Sequence, residues 1–116
     1  MVEVVATDEF AEWWEDLDGS EAADVARVVD LLELQGTELG FPYSSALKDT
    51  GFAIRELRIQ SKGRPFRVFY AFDPWRQAVL LIGGDKTGED RFYETFIPKA
   101  ERIWEQYLAE EKARRG

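Results

Sequence analysis

The chain has 116 residues, 45% hydrophobic and 14% aromatic, enough for one domain around a single core and too few for a second. It carries 15 Lys/Arg against 23 Asp/Glu, a formal net charge of −8, and neither cysteine nor histidine; disulfides, thiolate or imidazole metal sites and a histidine proton shuttle are excluded. No stretch approaches the roughly 20 apolar residues of a membrane span and the amino terminus lacks a basic-then-apolar pattern, so residues 1–116 are expected to form a single cytoplasmic domain without cofactor, metal or membrane partner.

Val2, Val4 and Val5 make a short strand closed by Thr7 and Asp8, either of which can cap a helix. Phe10, Trp13, Trp14 and Leu17 then fall at i, i+3, i+4 and i+7, with Glu12, Glu15 and Asp16 opposite. Two adjacent tryptophans cannot both face inward, which leaves one for a partner. After Gly19, Ser20 can cap a second helix over Glu21–Gln35, whose stripe is Ala22, Val25, Val29 and Leu32 and whose end is marked by Gly36. These segments read as an acidic helical hairpin packed on a sheet. Residues 37–50 lack periodicity and read as an ordered loop.

Three strands follow. If Leu57 and Ile59 point inward, Glu56 and Arg58 point outward; Phe66, Val68, Tyr70 and Phe72 share one face of the next strand, which puts Arg67 on the side of Arg58. Ser61–Pro65 supplies one tight turn and Asp73-Pro74 the other, giving an antiparallel meander. Ala78–Gly84 is apolar and reads as a buried strand, ending in Gly83-Gly84-Asp85-Lys86. Thr87 and Asp90 have capping-box spacing and predict a helix starting near Gly88, with Pro98 either dividing it or bending it.

Charge is divided unevenly along this order. Residues 48–91 hold nine Lys/Arg and six Asp/Glu, net +3, while the rest hold six against seventeen, net −11. Arg55, Arg58, Lys62, Arg64 and Arg67 in one short stretch point to an anion site inside an acidic protein. Bland readings stand beside this one: Arg55 can pair with Glu56 or a helix acid, Lys62 and Arg64 lie in a hairpin turn where basic residues are common, and Tyr70 is on the core face. GGDKTG lacks the G-x-x-x-x-G-K-[ST] spacing of a nucleotide-binding loop.

The order β-α-α-β-β-β-α, together with ELRI, GRPFRVFYAFD and LLIGGDKTG followed by RFYE, resembles the toxins of bacterial type II toxin–antitoxin pairs, and within them the phage-derived, Gp49-like group related to the HigB toxins, which share the RelE/ParE fold. The resemblance runs from Val2 to Leu108. It implies an α+β fold, a small antiparallel sheet with a helical hairpin on one face, an open basic face on the other and a C-terminal helix. It also implies cleavage of messenger RNA in the ribosomal A site, inhibition of translation, and neutralisation by a HigA-like antitoxin with a helix-turn-helix domain.

Members of the wider fold use lysine, arginine and tyrosine for this chemistry. The matching residues here are Lys48, Arg58, Arg67, Lys86 and Tyr93. Arg58 and Arg67 suit bidentate phosphate contact, Lys86 proton transfer if its pKa is lowered, with Asp85 opposing that shift, and Tyr93 stacking or weak acid catalysis. Lys48, Arg55, Lys62, Arg64, Arg91 and Phe92 are the expected RNA contacts, Phe92 as a stacking face. A gyrase-binding inhibitor of the ParE kind and a non-toxic regulator remain open alternatives.

Overall fold

A computed structural model describes residues 1–116. The elements are β1 (Glu3–Ala6), α1 (Asp8–Glu15), α2 (Gly19–Gln35), a 3-10 turn at Gly36–Glu38, β2 (Ser44–Ala46), β3 (Arg55–Ser61), β4 (Arg64–Phe72), β5 (Gln77–Asp85) and α3 (Phe92–Arg115). No helix is long and apolar enough to cross a membrane.

Local signals account for most of these boundaries. The Thr7 hydroxyl accepts from the Phe10 N–H at 3.2 Å, capping α1, and donates to the Leu81 carbonyl at 2.7 Å, tying that helix start to β5. α2 begins at Asp18 rather than Ser20. Asp18 and Glu21 form a reciprocal capping box, whereas the third residue after Ser20 is Ala23, which has no acceptor to return. Lys62 (φ +54°) and Gly63 (φ +76°) make the two-residue turn whose twist suits a β-hairpin. Asp73 Oδ1 accepts from Trp75 N and Gln77 N, both at 2.9 Å, and so closes the second hairpin. The expected Thr87–Asp90 box does not form. Asp85 Oδ1 takes the Thr87 N–H at 2.9 Å, the chain turns through Gly88, and α3 starts at Phe92 without a side-chain cap, then runs unbroken past Pro98.

The sheet order is β1-β5-β4-β3-β2. Two expectations are corrected here. The sheet is mixed, not antiparallel, because β1 pairs with β5 in parallel: the helical hairpin carries the chain across to the far edge, and the meander returns it to β1. The loop over residues 37–50 contributes β2, whose Ser44 and Ala46 pair with Leu57 and Arg55.

β4 and β5 are buried on both faces. Leu57, Ile59, Phe66, Val68, Tyr70, Ala78 and Leu80 meet α1 and α2, while Phe69, Ala71, Val79 and Leu81 meet α3 through Phe92, Ala100, Ile103 and Trp104. A bulge between Phe69 and Tyr70 brings Ile82 to the α3 side beside Leu81. The face opposite the hairpin is therefore not broadly open, since α3 covers it except beside the helix's first turns. Both tryptophans are half-buried: Trp13 packs edge-on to Phe66, and Trp14 stacks on Phe10 while lining an apolar hollow between β1, α1 and α2.

The paired glycines of GGDKTG serve packing on both sides of β5. A Cβ at Gly83 would lie 2.4 Å from Trp13 Cε3, and one at Gly84 would lie 2.7 Å from Phe96 Cζ. Gly83→Ala should lower stability by about 1–3 kcal/mol through overpacking. Gly19→Ala, at a helical position with no neighbour within 4 Å, should be neutral or stabilising, thermal melts of the two variants beside the parent being the measurement.

Candidate functional site

Strand alternation puts Glu56 and Arg58 of β3 on the α3 side of the sheet, and register places Arg58 opposite Arg67 and Glu56 opposite Phe69. Lys86 follows β5 directly and is held by its N–H to the Pro65 carbonyl at 2.9 Å; Tyr93 comes from the first turn of α3. Four elements thus converge on one end of the sheet.

Glu56 is the hub. Its Oε1 accepts from the Tyr93 hydroxyl at 2.7 Å and lies 3.5 Å from Arg67 Nε, while Oε2 accepts from Ser45 Oγ at 3.1 Å and from Arg58 Nη1 at 3.5 Å. Arg67 also donates to the Phe66 carbonyl at 3.0 Å and to the Tyr93 hydroxyl at 3.4 Å. The two arginines sit differently. The side chain of Arg67 is 6% exposed and that of Arg58 33%. They share a face, as the alternation predicts, but only Arg58 reaches solvent; Arg67 lies behind it as a buried positive charge.

Two hollows meet at Arg58. A groove of 370 Å³ is lined by Ser45, Lys48, Glu56, Arg58, Tyr93 and Ile97 among others. A smaller hollow of 180 Å³ is bounded by Phe41, Pro42, Ile59, Gln60 and the two arginines. Lys86 makes no ion pair, and its Nζ stands over the Tyr93 ring, 5.1 Å from the centroid. Burial lowers the Lys86 pKa, the Arg67 charge lowers it further, and Glu56 opposes them; the opposing carboxylate is Glu56, not the expected Asp85. Tyr93 moves the other way. Burial and its hydrogen bond to Glu56 raise its pKa, so it keeps its proton and acts as a donor to the carboxylate.

The remaining expected contacts separate by position. Lys48 is exposed and lines the larger groove. Arg91 is exposed at the start of α3, 4.0 Å from Glu94. Arg55 lies on the hairpin face, donating to Ser44 Oγ and Tyr70 Oη at 3.2 and 3.3 Å. Lys62 pairs with Asp18, and Arg64 with Glu21 and Asp85, so both join the meander to α2 rather than facing the groove. Phe92 is 2% exposed between Phe69 and Phe96, and a ring sealed in the core cannot stack on a base. Sequence reasoning missed Glu56, Ser45 and Phe41 as parts of the site. The alternation that put Glu56 beside Arg58 was the available signal for the first.

The family model for Phage derived protein Gp49-like matches residues 12–105. The chain belongs to this Gp49-like family. The resemblance to the phage-derived, HigB-like group is thereby borne out. The chain is 39% identical over 110 residues to a Mycobacterium tuberculosis protein named as a candidate toxin, HigB3, covering 93% of this chain and 95% of the relative. It is 33% identical over 101 residues to a second, named as a candidate toxin, HigB2, covering 84% of this chain and half of that longer protein. No solved structure matches.

Glu56→Ala should cost about 3–5 kcal/mol in chemical denaturation, because it strands the buried Arg67 charge, and adding Arg67→Met should recover part of that loss. In carbon-13 lysine titrations Lys86 should lose its proton below the ordinary 10.5, and Arg67→Met should move it upward. The folded protein then binds less proton at Lys86 than the unfolded chain does, so the contribution of Lys86 to stability rises with pH until 10.5.

Proposed function

We propose that the chain is the toxin of a type II toxin–antitoxin pair and acts as a metal-independent, ribosome-dependent messenger RNA endoribonuclease that halts translation. The observation that carries this reading is an unpaired lysine with a lowered pKa beside a half-open arginine on a rigid sheet, with a second arginine buried behind them. The names of the two mycobacterial relatives support the toxin assignment. The implied partners are a HigA-like helix-turn-helix antitoxin, the ribosome and its message, in the cytoplasm.

Cleavage without metal needs the ribose 2′-oxygen to attack the adjacent phosphorus and the P–O5′ bond to break. Arg58 faces the groove with donors for the phosphate, and the charges of Arg58 and Arg67 together favour the phosphorane. Lys86 in its unprotonated form, made more accessible by the lowered pKa, takes the 2′-hydroxyl proton and, as ammonium, delivers it to the departing 5′-oxygen. The products are a 2′,3′-cyclic phosphate and a 5′-hydroxyl, with no water consumed. Tyr93 positions Lys86 with its ring and Glu56 with its hydroxyl. Lys48 extends the cationic rim where the strand enters.

Inducible expression followed by mapping of message 5′ ends, with and without purified ribosomes, tests the reading. Arg58→Ala and Lys86→Ala should each lower cleavage by about 10²-fold or more and relieve growth arrest while melting like the parent. Intact message with arrested DNA replication would transfer the assignment to a gyrase-binding inhibitor.

A further inference from the structure

Phe41 has no packing role that explains it. It is 78% exposed at the tip of the loop between the 3-10 turn and β2, where an isolated aromatic ring contributes nothing to the core. The loop beneath it is nonetheless fixed. Tyr43 N and Ser44 N both donate to the Gly40 carbonyl at 3.1 Å, and the Tyr43 carbonyl accepts from Arg58 N at 2.8 Å, so the turn holding Phe41 is bonded to the residue that holds the cation. The Arg58 guanidinium lies 5.6 Å from the Phe41 ring centroid, and the same two side chains help to wall the 180 Å³ hollow that Arg67 closes from behind.

We propose that Phe41 is the nucleobase-stacking residue of the site, holding the base of a nucleotide whose phosphate lies on Arg58. The inference rests on the reading of the chain as an RNA-cleaving protein and deepens it. Arg58 covers part of the ring and the rest is open to solvent, so a base stacks on the free aromatic surface while the adjoining phosphate meets the guanidinium. The strand then crosses Arg58 with one nucleotide toward Phe41 and the next toward the groove of Lys48 and Tyr93, whose ring carries Lys86. A preset ring lowers the ordering cost of the single strand, and its π-face accepts any base, so Phe41 contributes affinity and registration.

A short RNA tetranucleotide carrying 2-aminopurine, with every ribose 2′-O-methylated so that it cannot be cleaved, reports stacking by fluorescence quenching on titration with the purified protein. The expected result is quenching by the parent and by Phe41→Trp, with Phe41→Ala and Phe41→Leu about tenfold weaker in affinity and unquenched. Absence of quenching with the parent, or parent-like quenching by Phe41→Ala, overturns the inference. Parent-like binding by Phe41→Leu also overturns it, since leucine keeps apolar area without a π-face and would identify a greasy contact suited to a protein partner. Message 5′-end mapping with the parent judges the nuclease reading separately, so cleavage without 2-aminopurine quenching rejects only the stacking role.

Discussion

The buried carboxylate of Glu56 is the point on which this end of the molecule is assembled. Ser45 of β2, Arg58 of β3, Arg67 of β4 and Tyr93 of α3 all converge on its two oxygens, so one side chain sets the relation of four elements. α3 needs that help. Its first turn has no side-chain cap and its sequence carries Pro98, so its start is placed by Tyr93 on Glu56 and by Phe92 and Phe96 against the bare backbone of Gly84. A buried ion pair is a poor source of net stability, because taking both charges out of water costs about what their attraction returns. What Glu56 and Arg67 provide is geometry, together with a positive charge held in place behind a groove.

The basic residues of the meander divide into two populations that look alike as a string of letters. Arg55, Lys62 and Arg64 face the hairpin, where Asp18 and Glu21, besides capping α2, bind Lys62 and Arg64. Arg58, Arg67 and Lys86 face α3. The strand period separates the two sets in principle, and it correctly put Arg58 with Arg67 and Phe66, Val68, Tyr70 and Phe72 with the hairpin. It does not report depth. Arg67 is nearly buried because Tyr93 of α3 closes over it from 26 residues away in the chain, which no local pattern records. Phe92 and Tyr93 show the same limit: neighbours at a helix start, one enters the core and the other closes the site. The Thr87–Asp90 spacing misled for a related reason, since Asp85 was nearer and took the Thr87 N–H first. β2 was hidden because three residues without alternation carry no period.

Burial of Arg67 changes what it contributes to chemistry. An exposed guanidinium would bind phosphate directly and be screened by water and salt; one beneath the groove acts on Lys86 through its field, and in the proposed reaction such a fixed charge would need no reorganisation. Burial is the largest cause of the lowered Lys86 pKa, the Arg67 charge adds to it, and Glu56 limits the effect. In the proposed reaction Arg58 is the phosphate contact and Arg67 the charge behind it, in keeping with their 33% and 6% exposure on residues directly opposite each other in the sheet.

The acidic hairpin need not conflict with a polyanionic substrate. Residues 1–38 carry twelve Asp/Glu and one arginine, and α1 and α2 lie on the sheet face away from the groove, with the doubly buried β4 and β5 between. Salt screens the hairpin's charges along the solvent path around the sheet, with a Debye length of about 8 Å at physiological ionic strength, and the groove's own charges are Lys48, Arg58, Asp49 and Glu56 on its walls with Arg67 and Lys86 beside them. At low salt the screening length grows and the hairpin's field, reaching further through solvent, would slow approach of the RNA proposed as substrate. Net charge therefore bears on the rate of encounter from a distance, while the sheet, by keeping the two charge sets on opposite faces, decides what happens on contact.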